Sequence, residues 1–281
     1  MNLEPQSFSA PGKLNLMLRV VGRRADGYHL LQTVFRFIDY GDTLTFRLRR
    51  DGAIARVNAV DGVPADQDLA LRAARLLRDS VGGTTGVDIE LDKRLPLGGG
   101  VGGGSSDAAT TLLALNQLWC TNLPREHLLE LALALGTDVP AFVFGENAWA
   151  EGVGEVLQPL VLPPAWYVVL TPPVTVSTAR IFSRPELKRD SKRVTIQSFS
   201  AVGPNENDLE PVVCREHPEI GRHLDWLRQF GRALLTGSGA CVFSGFESAG
   251  EAQAVLAKLP GSMTGFVARG LERHPLRDLA H

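Results

Sequence analysis

The chain has 281 residues, 44% of them hydrophobic and 21% charged, a globular composition long enough for one large domain or two ordinary ones. A formal net charge of −2 supplies no basic field for nucleic acid or an anionic membrane. The start MNLEPQSFSAPGK lacks a signal-type apolar core and no apolar run reaches transmembrane length, while the scattered Cys120, Cys214 and Cys241 fit a reducing cytoplasm better than a disulfide or zinc framework.

In chain order, LNLMLRVV (14–21) and TLTFRLRR (43–50) are rich in apolar and β-forming residues and predict strands. DLALRAARLLRDSV (68–81) has helical apolar spacing behind an aspartate, which predicts a helix capped by Asp68. GVDIELDKRLP (86–96) alternates Val87, Ile89 and Leu91 with acids, a half-buried strand stopped by Pro96. SSDAATTLLALNQLW predicts a helix beginning near Ser106, and REHLLELALALG a second one closed by Gly136. In TDVPAFVFG either Thr137 or Asp138 suits the cap of a short helix with Pro140 in its first turn.

The stretch 152–166 turns Gly- and Pro-rich and is the candidate boundary between lobes 1–155 and 156–281. Beyond it come a strand (WYVVLTPP), a polar stretch (183–207), the helical EIGRHLDWLRQF, a strand–glycine turn–strand in LLTGSGACVFSGF, a helix (AGEAQAVLAKL) and a final strand (TGFVARGL). Strands and helices mix without regular βαβ alternation, so the expected class is α+β in two lobes.

Residues 96–106 read PLGGGVGGGSS. Such a run loses much backbone entropy on folding, so something must need bare backbone there. It lies between a strand and a helix start, where unpaired N–H groups and the helix dipole make an anion cradle. Gly98, Gly99, Gly100, Gly102, Gly103 and Gly104 would line it, with Ser105 and Ser106 as further donors or magnesium ligands. GxGxxG is formally satisfied, but the acid expected about 20 residues on in a dinucleotide fold is absent. The Walker pattern fails for want of a lysine before the serines. A mobile linker would not run straight into a helix start.

PLGGGVGGGSSDAA resembles the phosphate-binding motif of the GHMP small-molecule kinases, and APGKLNL and LTGSGACVF resemble that family's first and third motifs, in the expected order. GRRADGYHLLQTVFRFIDYGD and LGTDVPAFVFG look like one branch, the 4-diphosphocytidyl-2-C-methyl-D-erythritol kinases of non-mevalonate isoprenoid synthesis. The resemblance implies a cleft between two lobes, ATP and Mg²⁺ as cofactors, and transfer to the 2-hydroxyl of a cytidine-diphosphate-linked methylerythritol. With the cysteine and charge patterns, the expectation is a cytoplasmic enzyme whose partners are its small-molecule substrate and ATP, with no nucleic acid or membrane, as monomer or homodimer. Another GHMP kinase acting on homoserine or mevalonate, and a nucleotide-binding module without catalysis, are the alternatives.

Under the resemblance Asp138 is the catalytic base and Lys13 its electrostatic partner, although locally Asp138 also reads as a helix cap and Lys13 as a strand-edge lysine. Asn15 shares Lys13's strand face and is assigned to the substrate's polar end. Tyr28 and His29 match the cytidine-binding pair, Phe182 the aromatic on the other face of the base, and Thr178 a contact to the same ligand. Core packing equally explains Phe182. Lys93, Arg94 and Pro96 adjoin the nucleotide loop, and Gly237 and Gly239 permit close approach in the later turn, as a plain hairpin would also require. Asp68 stands where the branch implies an asparagine lining the adenine site, and Gly12 and Val101 where it implies alanine and leucine.

Overall fold

The computed structural model describes residues 4–201, 203 and 205–281. Two long strands organise the molecule. β1 (Gln6–Arg23) and β2 (His29–Arg49) pair antiparallel along almost their whole length. Register shifts between Pro11 and Lys13, and between Asn15 and Met17, bend β1 around the site. Gly41 lets the strands close, because a Cβ there would lie 2.3 Å from the Ala10 carbonyl oxygen.

β3 (Ile54–Arg56) lies parallel to β4 (Gly86–Asp92), and β4 pairs antiparallel with the later half of β2. The buried Val87, Ile89 and Leu91 of β4 point inward as their alternation predicts. α1 (Leu69–Ser80), α2 (Gly103–Leu118), α3 (Arg125–Leu135) and α4 (Val139–Phe144) contribute to a core with Phe37, Leu44 and Phe46 of β2. β5 (Ala148–Glu151) and β6 (Val156–Pro159) complete the first sheet.

The second sheet is fully antiparallel, in the order β10 (Gly265–Arg269), β7 (Trp166–Leu170), β9 (Val242–Phe246), β8 (Ala233–Leu235). α5 (Thr178–Ser183), α6 (Glu210–Glu216), α7 (Pro218–Leu227) and α8 (Ala249–Leu256) belong to this half. The sheets are not hung on a free linker. Leu14, Met17, Val34 and Ile38 of the long hairpin share a buried cluster with Tyr167, Val169 and Phe243 of the second sheet.

The last segment returns to the first sheet's core. Leu271 N–H donates to the Phe37 carbonyl, Ala280 is buried with the first core, and the Arg125 guanidinium donates to the carbonyls of Val143, Arg277 and Ala280. Among the described residues no helix is long and apolar enough to cross a membrane.

The predicted strands and helices form, with two local corrections. α2 begins at Gly103, before the serines, and its N-cap is Gly102 with no side-chain cap bond. Both hydroxyl residues therefore lie inside the first turn. Asp138 occupies the N-cap position of α4 but makes no cap hydrogen bond, which leaves its carboxylate for another partner.

Candidate active site

One cavity of about 420 Å³ gathers Lys13 and Asn15 from β1, residues 96–100 and 102–105 from the glycine loop, Asp138 from the start of α4, and Gly237 and Gly239 from the β8–β9 turn. Lys13 is almost fully buried, and its ammonium lies 3.2 Å from Asp138 Oδ2. It also donates to Asn15 Oδ1 at 2.6 Å and to the Gly100 carbonyl at 3.0 Å. Burying a cation is costly unless it is paired and hydrogen-bonded; here three oxygens surround it. Asn15 in turn donates to Thr33 Oγ1, and its N–H to Thr236 Oγ1. Thr33 and Thr236 join the site without having been singled out in the sequence: Thr33 is an isolated threonine in a strand, and Thr236 lies within LTGSGACVF beside the glycines that drew attention there.

The glycine loop answers its entropy cost in two ways. Gly98, Gly100 and Gly102 have φ of 65°, 74° and 76°, the left-handed region open chiefly to glycine. The loop also packs flush on the β8–β9 turn: the carbonyls of Gly98 and Gly99 accept from Ala240 and Cys241, and a Cβ on Gly100 would lie 2.2 Å from the Thr236 carbonyl oxygen. Gly103 and Gly104 serve the opening of α2. Among the described residues the N–H groups of Gly103, Gly104 and Ser105 donate no hydrogen bond, so the start of a 16-residue helix presents free donors and a positive dipole end to the cavity.

The two serines divide. Ser105 lines the cavity, whereas Ser106 is fully buried and its hydroxyl donates to the Pro11 carbonyl at 2.7 Å. Lys93 borders the cavity but is held by Asp42 Oδ2 at 2.6 Å and Asp107 Oδ2 at 2.7 Å. Two carboxylates thus share one ammonium. Burial pushes the Asp107 carboxyl up to about 7, Lys93 pulls against that rise, and Asp42 adds to it. Its Oδ1 is buried without a partner among the described residues.

Asp68 does not reach the cavity lining. One oxygen caps α1 at the Ala70 N–H, and the other pairs with Arg56 at 2.7 Å, so both are committed. Arg94 lies over the Tyr40 ring, 4.6 Å from its centroid.

Tyr28 and His29 line a neighbouring cavity of about 410 Å³, to which Thr178 and Phe182 of α5 contribute from the border with the first. Tyr28 is 58% exposed, an aromatic face left open on that cavity. The His29 and Phe182 rings meet at 4.8 Å. Burial lowers the His29 pKa, and Arg189 and Arg23 lower it further. Arg189, another residue the motifs did not reveal, donates to His29 Nε2 at 3.0 Å. Thr178 Oγ1 and Ser238 Oγ lie 2.6 Å apart and tie α5 to the β8–β9 turn.

Residues 68–146 match the family model of the GHMP kinases N terminal domain, and residues 193–264 that of the GHMP kinases C terminal. The chain is 63% identical, over 97% of its own length and 98% of the relative's, to a 4-diphosphocytidyl-2-C-methyl-D-erythritol kinase of Thiobacillus denitrificans. It is 58% identical, over 98% and 94%, to one of Nitrosospira multiformis. A crystal structure of 4-(cytidine 5'-diphospho)-2C-methyl-D-erythritol kinase superposes with a TM-score of 0.83 at 34% identity, covering 94% of this chain and 99% of that one. Fold, glycine cradle and end-to-end likeness agree: the chain belongs to the 4-diphosphocytidyl-2-C-methyl-D-erythritol kinase family, a branch of the GHMP kinases.

Proposed function

We propose that this cleft transfers the γ-phosphoryl group of ATP to the 2-hydroxyl of 4-diphosphocytidyl-2-C-methyl-D-erythritol, giving the 2-phosphate and ADP in the non-mevalonate route to isoprenoids. The observation that carries it is the Lys13–Asp138 pair at 3.2 Å in the same cavity as the free N–H groups of α2. The cradle holds the donor phosphates, and the acceptor hydroxyl lies against Asp138. Its oxygen attacks the γ-phosphorus in line, its proton passes to the Asp138 carboxylate, and the bond to ADP breaks, with no phospho-enzyme. Lys13 keeps that carboxylate oriented and adds positive charge where negative charge spreads in the transition state.

Magnesium fits this site as a companion of the triphosphate. Among the described residues no group of three or more His, Cys, Asp or Glu side chains could hold a metal, and Ser106 is committed to Pro11. Ser105 remains as the hydroxyl that would complete the ion's shell. When bound, the ion neutralises phosphate charge.

Tyr28, His29 and Phe182 are assigned to the cytosine and Thr178 to the linkage beside it, with Asn15, Gly237 and Gly239 against the acceptor end. The free aromatic surface at Tyr28 supports this assignment over one to homoserine or mevalonate, which have no base to stack. The lobe division at 155/156 is also a proposal; β6 still pairs with β5 of the first sheet. An ADP-release assay over diphosphocytidyl-methylerythritol, homoserine and mevalonate tests the reading, with turnover expected on the first alone. Turnover confined to homoserine or mevalonate would refute it.

A further inference from the structure

Arg189 is held by more than its bond to His29. Its Nη2 donates to the carbonyls of Phe182 at 3.0 Å and Arg184 at 2.6 Å, and its Nη1 to that of Leu187 at 2.8 Å. These bonds fix the plane of the guanidinium and aim Nε at His29 Nε2. A guanidinium is all donor and keeps its protons in proteins. Nε2 must therefore offer its lone pair, and the single hydrogen of a neutral imidazole sits on Nδ1. Among the described residues no hydrogen bond ends on Nδ1, and the ring borders the cavity beside Tyr28 and Phe182.

We propose that Arg189 is a positioning residue that sets base specificity: it locks His29 in the Nδ1–H tautomer, and this makes the pocket select a cytosine edge over a uracil edge. The inference rests on reading this pocket as the base site. Ring nitrogen N3 of cytosine carries a lone pair and accepts from Nδ1–H. The same nitrogen of uracil carries hydrogen, so two donors would face each other and both lose their partner. Without Arg189 the imidazole hydrogen is free to occupy either nitrogen, and a ring with Nδ1 bare pairs with the uracil edge instead.

The charged and titratable groups about His29 are Arg189, from the segment after α5, Arg23, at the end of β1, and Asp26 and Tyr28, in the intervening turn. Both arginines oppose a positive imidazole. Protonated imidazole carries hydrogen on both nitrogens, which yields a pH test that a merely structural role does not share.

The test compares kcat/KM for the cytidine-linked substrate and its uridine-linked counterpart in the unmodified enzyme, Arg189→Met and Arg189→Lys. In Arg189→Met the cytidine preference should fall at least about tenfold at pH 8. It should recover as pH drops through the ordinary histidine range near 6.5. Arg189→Lys keeps a donor and should retain the larger part of the preference. Equal losses on both substrates, or an unchanged preference in Arg189→Met, would overturn the proposal. If Arg189→Met does not fold, the ¹⁵N imidazole spectrum of the unmodified enzyme decides: hydrogen on Nδ1 of His29 is expected, and hydrogen on Nε2 overturns it. His29→Asn assigns that signal and separates the two readings. Its failure to raise KM for the cytidine substrate would remove the base site itself, and the proposal with it. A raised KM beside an unchanged preference in Arg189→Met would remove only the role of Arg189.

Discussion

Lys13 Nζ lies 3.2 Å from Asp138 Oδ2, with the lysine side chain 3% exposed and the aspartate 37%. The pair is asymmetric: the cation is sealed in the fold, and the carboxylate opens on the cavity. That is the arrangement expected of a base held in place by a partner that solvent cannot reach. Asp138→Asn should lower kcat about 10²–10⁴-fold. ATP affinity should be unchanged, because among the described residues Asp138 makes no hydrogen bond to the glycine loop or to a helix N–H. Steady-state kinetics beside calorimetric ATP titration checks this; kcat within a factor of two of the unmodified enzyme would remove the role.

Lys13→Met should differ in kind. Turnover should fall about 10²–10³-fold, as for loss of one transition-state donor. The ATP KM should rise as well, because the ammonium also holds the Gly100 carbonyl. A drop in kcat with no change in ATP KM would show that the tie to the loop is idle.

The glycines of the loop should not respond alike to alanine. At Gly100 the new Cβ would meet the Thr236 carbonyl oxygen at 2.2 Å, with φ at +74°. Gly100→Ala should destabilise the fold by about 1–3 kcal/mol or more. At Gly104 the nearest atom is Leu69 Cδ1 at 3.6 Å, on a helical backbone. Gly104→Ala should fold at least as well as the parent while raising the ATP KM, since Gly104 lines the cavity. Urea melts and ATP kinetics on the two variants separate packing from phosphate access.

The adjacent serines make a similar pair. Ser106→Ala removes a buried hydrogen bond to the Pro11 carbonyl and should cost about 1–3 kcal/mol of stability. Ser105→Ala should leave the melt unchanged and raise the magnesium or ATP requirement. Reversal of these two outcomes would exchange their assignments.

Burial raises the Asp107 carboxyl to about 7 in the folded chain, above its unfolded range near 4. The folded state therefore binds the extra proton more tightly. The stability linked to this group is fully present below pH 4 and is lost as pH rises through about 7. Asp107→Asn should flatten that decline, with Lys93 still paired to Asp42. Urea unfolding at several pH values between 4 and 8 measures the slope; an unchanged slope would place the proton elsewhere.

Much of this was legible in the chain. The alternation of Val87, Ile89 and Leu91 specified which face of β4 is buried, and the apolar spacing of 69–80 specified α1 together with its Asp68 cap, because side-chain periodicity is a local property. The glycine run likewise marked a loop of left-handed backbone that opens α2, because only glycine adopts that conformation freely. Other features needed the third dimension. Asp138 reads locally as a helix cap, yet in the fold it makes no cap hydrogen bond and the bulged β1 brings Lys13 beside its carboxylate. Ser105 and Ser106 are chemically identical neighbours, and only the approach of Pro11 assigns one to packing and the other to the cavity. Asp68 is held by Arg56, and Arg189 came to His29 from a segment with no motif. Sequence determined the elements and the chemistry they carry; long-range burial decided which polar groups remain free to act, because each such group must find its partner before it can meet a ligand.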